Sequence, residues 1–156
     1  MKQQRYTGKG IGVALLDTGI YPHMDFDDRI TGFCDFISHK KQIYDDNGHG
    51  TCVAGILGGS GAASYGKYKG VAPECTLVAL KVLDRFGNGN KENVLKAFRW
   101  ILDHRKEYYI RVVNISVGTT YRTRNDHDVL VEGVEKLWDE GLVVVAAAGN
   151  QGPEPG

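Results

Sequence analysis

The chain has 156 residues, with 19 Lys and Arg against 19 Asp and Glu, and 42% of its residues are hydrophobic. That length is enough to bury a core without disulfide or metal staples. The zero net charge excludes a general binder of nucleic acid or of an anionic membrane, which needs a basic excess.

The N-terminal residues lead into no apolar signal-peptide core, and no apolar run approaches the roughly 18 residues of a membrane span. Three cysteines, Cys34, Cys52 and Cys75, cannot all pair and form no CxxC. Reduced thiols in a cytoplasmic protein are therefore expected. Glycine is the outlier, 21 of 156 residues, well above its usual share of about 7%.

Residues 11–16 form a nearly continuous apolar run ending in Asp17-Thr18-Gly19, the pattern of a strand buried on both faces. A short helix is predicted from near His49 through Val53, Ala54, Ile56 and Leu57. Residues 76–83 (TLVALKVL) read as a second buried strand. Asn90 is placed to cap a helix whose apolar residues Val94, Leu95, Phe98, Ile101 and Leu102 follow helical spacing. Residues 111–117 read as a strand, and residues 126–140 as a helix with Leu130, Val134, Leu137 and Trp138 on one stripe. Gly141 then stands where a left-handed C-cap belongs. Residues 142–148 (LVVVAAA) form the last predicted strand.

Strands alternating with helices predict an α/β fold, a doubly wound and mainly parallel sheet with helices on both faces. Glycines and polar residues gather in the connections, and the cluster of residues 58–61 reads as a flexible turn. In such sheets the functional crevice lies beyond the carboxyl ends of the strands. That rule brings Asp17, residues 116–118 and residues 149–150 to one edge.

Dinucleotide chemistry fits poorly. The glycine-rich residues 8–12 precede the first strand instead of following it, and no GxxxxGK[ST] occurs. No two of the five histidines have the i, i+4 spacing of a helical zinc site. His39, His104 and His127 sit among charged residues and are expected at the solvated surface.

Hydrolytic chemistry draws on three separated signals. Asp17 ends a buried strand, where an ionised carboxylate is costly without a partner that carries positive charge. His49 is flanked by Gly48 and Gly50 at the start of a helix, and Asn150 follows a strand end, where its amide is available to an oxyanion. Each signal alone has a bland reading. DTG also occurs at the carboxylates of aspartic proteases, lone histidines are often structural, and Gly-Asn is a common turn.

Taken in order, these pieces resemble the subtilisin-like serine proteases. The matching segments are DTGI at Asp17, HGTCVAGIL at His49, GVAP at Gly70, VALKVL before Asp84, NISVG from Asn114, and VVVAAAGNQG around Asn150. GAASYGKYKGVAPE is similar to the intracellular, signal-free branch. The resemblance runs through essentially the whole chain and implies that residues 1–156 are the N-terminal portion of a subtilisin-like catalytic domain.

What the resemblance implies is a serine endopeptidase with an Asp-His-Ser triad. Asp17 would orient His49, His49 would act as general base, and Asn150 would donate to the oxyanion. Ser116, Val117 and Gly118 would present backbone to an extended polypeptide substrate, with Ala147, Ala148 and Gly149 as the opposite wall of the specificity pocket. No cofactor is implied for the chemistry. Asp25 matches a calcium-binding aspartate of the family, although the corresponding loop at residues 62–68 lacks its usual asparagine.

The family's nucleophile lies in a Gly-Thr-Ser-Met-Ala segment opening a helix well beyond the oxyanion asparagine. None of Ser38, Ser60, Ser64 and Ser116 has that context, and Cys52, three residues from His49, is expected to be a buried structural thiol. The chain is therefore expected to be inactive alone and to need the C-terminal half of the domain as partner. It is also expected to expose apolar sheet surface through which it self-associates. A fragment of a longer protease, a truncated product, and an inactive peptide-binding or interaction module stay open as readings.

Overall fold

The computed structural model describes residues 6–118 and 129–149. Its elements in chain order are β1 (Gly12–Asp17), β2 (Ile30–Asp35), α1 (His49–Gly58), β3 (Thr76–Lys81), α2 (Lys91–His104), β4 (Ile110–Ile115), α3 (Val129–Asp139) and β5 (Val143–Ala146). A single 3-10 turn, Ala62–Ser64, follows α1. The strands form one five-stranded sheet in the order β2-β3-β1-β4-β5, and every pair is parallel. This is the predicted α/β architecture.

Alternation along the central strand builds the two layers. Ala14 and Leu16 point into a core with Val94, Ala97, Phe98 and Ile101 of α2 and Leu137 of α3. Val13 and Leu15 point the other way, toward Ala54 of α1 and Phe26. Both faces of β1 are buried along its whole length, as the continuous apolar run requires. The buried residues of α1 are Gly50, Ala54 and Gly58, a stripe of small residues that lets the helix lie close on the sheet.

The predicted caps are present. The Asn90 side chain accepts the Asn93 N–H at 2.8 Å. Gly141 has φ +81°; its N–H reaches the Trp138 carbonyl, and the Leu142 N–H reaches Leu137. That pair of bonds is a Schellman motif, and it turns α3 directly into β5. Of the helix predicted over residues 126–140, residues 126–128 lie outside the described residues.

Three expectations need correction. The strand β2 is absent from the predicted elements because it is an edge strand of mixed burial with Gly32 in its interior, and it offers no continuous apolar run. Cys52 is exposed rather than buried, since Gly50 and Ala54 take the sheet-facing side of α1. The turn at residues 58–61 is packed rather than loose: Gly70 N–H donates to Gly59, Val71 to Ile56 and Ala72 to Leu57. The GVAP segment thus satisfies carbonyls at the end of α1 that the helix itself leaves open. A Cβ at Gly70 would stand 2.7 Å from the Gly59 nitrogen.

Candidate functional site

The sheet order reverses at β1, with β2 and β3 on one side and β4 and β5 on the other. The carboxyl ends of β1, β4 and β5 meet there. Asp17 is the last residue of β1, Ser116 N–H donates to the Leu16 carbonyl at 3.3 Å, and Ala147 N–H donates to Ile115 at 3.0 Å. The register Ile115↔Ala146 carries residues 116–118 and 147–149 side by side past the last ladder pair. Val117 is half-buried and Gly118 exposed, while Ala147, Ala148 and Gly149 are all exposed.

Across the edge from them, α1 begins at His49. The His49 Nδ1 lies 2.8 Å from Asp17 Oδ1 and 3.0 Å from Oδ2. Asp17 is 1% exposed, whereas the His49 side chain is 54% exposed. The carboxylate therefore sits inside the protein with its imidazole partner between it and solvent. With Nδ1–H donated to Asp17, Nε2 is the nitrogen left to exchange a proton with a bound group.

The two backbones approach closely enough to dictate residue type. A Cβ at Gly50 would stand 2.1 Å from the Gly19 carbonyl oxygen and 3.0 Å from Asp17 Oδ1. Only glycine lets the start of α1 lie against the end of β1 at this distance.

Three further side chains belong to the same edge, and none stands out as functional in the sequence. Thr18, fully buried, donates its hydroxyl to Asp45 at 2.9 Å and accepts the Gly50 N–H at 2.9 Å. Asp45 also accepts the N–H groups of Gly48 and Thr51 and the Thr51 hydroxyl. Burial pushes the Asp45 carboxyl up, but these hydrogen bonds outweigh it and hold the group below its ordinary range. Lys81, 1% exposed, donates to the Thr18 carbonyl at 2.6 Å and to Asp46 at 2.7 Å. In the sequence it shows only as the lone charge in the apolar run TLVALKVL, which does not reveal these partners.

Beside residues 116–118 opens a cavity of about 390 Å³, with Leu83, Val94, Val117 and Leu130 among its lining. The sequence does not reveal it, because its walls come from the segment after β3, the turn at residues 87–90, α2, α3 and the β4 extension at once.

Asp25 lies apart from this edge. Its Oδ1 accepts the Ala63 N–H at 2.7 Å, and its carbonyl accepts Ser60 N–H and the Arg29 guanidinium. Arg29 also donates to the carbonyls of Gly58 and Cys75. A calcium ion takes six to eight oxygen ligands, carboxylates prominent among them. Among the described residues no group of three His, Cys, Asp or Glu is gathered for a metal, and one Asp25 oxygen is already engaged. Asp25 is thus tied into the backbone on both sides, with the Arg29 guanidinium holding three carbonyls beside it.

Asn150, the expected oxyanion donor, lies outside the described residues, as does His127. His39 is exposed as expected. His104 is half-buried instead, stacked on Trp100 at 4.1 Å between ring centroids.

The model of the subtilase family, Peptidase S8, matches residues 8–156. The chain is 44% identical to the serine protease AprX of Bacillus subtilis, covering 97% of this chain and 35% of that protein. It is 40% identical to the minor extracellular protease Epr of the same organism, over 94% of the chain and 21% of Epr. Among solved structures, a cold-adapted subtilisin-like serine proteinase superposes with a TM-score of 0.77 at 29% identity, covering 96% of this chain and 50% of the other. The chain thus spans about a third or less of these two curated relatives.

Proposed function

The chain belongs to the subtilase family, and on that premise we propose that it carries the acid–base half of a serine endopeptidase site. The observation that carries the reading is the contact of His49 Nδ1 with the buried Asp17 carboxylate. Asp17 fixes the tautomer that leaves Nε2 unprotonated and stabilises the imidazolium once a proton arrives. His49 takes that proton from a serine hydroxyl as it attacks the peptide carbonyl, then returns it to the leaving amine.

The serine comes from polypeptide beyond these 156 residues. Ser116 is occupied otherwise, its Oγ 2.7 Å from the Asn114 amide on the strand extension assigned to substrate. There, Ser116, Val117 and Gly118 offer main chain to an extended peptide, and Ala147, Ala148 and Gly149 face it from the neighbouring strand. Asn150 would donate to the oxyanion. The cavity beside residues 116–118, whose walls are apolar at Leu83, Val94 and Leu130 and polar at Asn88, Asn90 and Lys91, takes a side chain of the bound peptide. A cytoplasmic location is in keeping with three unpaired thiols.

A fluorophosphonate probe tests the proposal. The chain alone should show no labelled serine. Fused to the remaining catalytic segment of an AprX-like relative, it should label at the serine of that segment and cleave peptides, and His49→Ala should abolish both. Labelling of a serine within the 156 residues would overturn the assignment of the nucleophile. A folded fusion that neither labels nor cleaves would favour the rival reading, a peptide-binding module without catalysis.

A further inference from the structure

An Asp–His pair works only if the ring is held in one place, and the Asp17–His49 hydrogen bond does not do this alone. His49 is the first residue of α1, its side chain is 54% exposed, and α1 has no side-chain cap at Gly48. Yet the backbone on both sides of His49 is fixed. Gly48 and Thr51 donate their N–H groups to Asp45, and Gly50 donates to Thr18.

The two acceptors are themselves joined, Thr18 Oγ1 to Asp45 Oδ1. Thr18 is also the residue covalently attached to Asp17. It is gripped at every polar group: its N–H by Asp17 Oδ1, its hydroxyl by Asp45 and Gly50, its carbonyl by the buried Lys81 ammonium. The backbone of Asp45 runs against Gly19 in an antiparallel bridge.

We infer that Thr18 and Asp45 are positioning residues, a clasp that registers the His49 ring against Asp17, with Lys81 anchoring the Thr18 peptide from behind. The inference rests on the reading of Asp17 and His49 as the acid–base pair. Its physical basis is the directness of the linkage. Two side chains tie three of the four residues numbered 48–51 to the residue next to the carboxylate, so a shift of α1 along β1 must break several buried or charge-assisted hydrogen bonds together. A lone hydrogen bond between a carboxylate and a half-exposed ring would leave the ring free to swing.

The test observes the pair itself. In proton NMR of the 156-residue chain with the imidazole protonated, the Nδ1 proton bound to Asp17 is strongly deshielded and visible only while the contact is held. Wild type should show it, and Asp17→Asn should not. Thr18→Ser, which keeps the hydroxyl, should retain the resonance. Thr18→Val and Asp45→Asn should lose it while the dispersed amide signals of β1 and β3 remain. Should Thr18→Val fail to fold, Asp45→Asn, nearly isosteric and only half-buried, decides the matter. Persistence of the resonance in Asp45→Asn would overturn the clasp. Its absence from wild type, or its survival in Asp17→Asn, would overturn the acid–base pair instead, so the two failures are distinguishable.

Discussion

Gly50 shows how much of this site is decided by single atoms. A methyl group there would press on the Gly19 carbonyl at 2.1 Å, a backbone atom with no room to retreat, and on the Asp17 carboxylate. Gly50→Ala is expected to destabilise the fold by about 1–3 kcal/mol, the usual range for overpacking, as read by urea denaturation. It should also weaken the His49–Asp17 contact. Tyr44 gives a second expectation. Its phenol donates to the Asp35 carboxylate at 2.8 Å, and burial together with that bond and the negative charge pushes it up to about 12. The neutral phenol is therefore favoured by the fold. Its contribution is intact below the ordinary value of 10.0 and is lost as pH rises through about 12. An ultraviolet titration should find a tyrosine ionising at about 12 that is absent in Tyr44→Phe, and that variant should lose less stability between those pH values. Asp17 and His49 are legible in the sequence because each sits in a contiguous motif. The roles of Thr18, Asp45 and Lys81 are not, because they arise only when residues far apart in sequence meet, even though Thr18 and Lys81 stand inside recognisable motifs.

Elements are legible where one physical signal dominates. The strands β1 and β3 are buried on both faces, and apolar runs mark them to within two residues; β4, of mixed burial, is located as closely by its valines and isoleucines. The helix α3 is marked by Leu130, Val134 and Leu137 and by its glycine stop, although Trp138 of the predicted stripe faces solvent. At Gly141 the φ is +81° and a Cβ would meet no atom within 4 Å, so a substitution there tests conformation alone. Gly141→Ala should cost about 1–2 kcal/mol, the penalty of a left-handed alanine, measured as a lowered thermal midpoint, and Gly141→Asn should cost less. The strand β2 escapes sequence reading because an edge position removes the need for continuous burial. Its N-terminal neighbour Arg29 adds another expectation. The guanidinium ties the carbonyls of Asp25, Gly58 and Cys75 together. Calcium or a chelator should leave the thermal midpoint of the chain unchanged, while Arg29→Met should lower it. A rise with calcium in wild type would show that the loop recruits the ion after all.

On the scale of the whole molecule, the sheet is covered unevenly. The strands β1 and β3 are buried on both faces, but β5, at one edge of the sheet, leaves Val143 and Val145 about half exposed. On that side Val144 alone packs into the core with α2 and α3. The alternation along β5 therefore presents two valines to a face that no described helix covers, beside a strand edge that pairs with no other described strand. Burying a valine fully is worth about 1.5–3 kcal/mol, and an open edge templates further pairing. The related cold-adapted proteinase is about twice as long as the part this chain matches. In isolation the chain is expected to use the same surface on itself. Its apparent mass in sedimentation should then rise with concentration, and the double substitution Val143→Lys, Val145→Lys should return it toward monomer with its circular dichroism unchanged. Fusion to a relative's remaining catalytic segment should suppress association without any substitution, because the added polypeptide occupies the edge first. A wild-type chain that stays monomeric at all concentrations would mean that the β5 edge is protected within these residues, and that the valine face needs no partner to stay in solution.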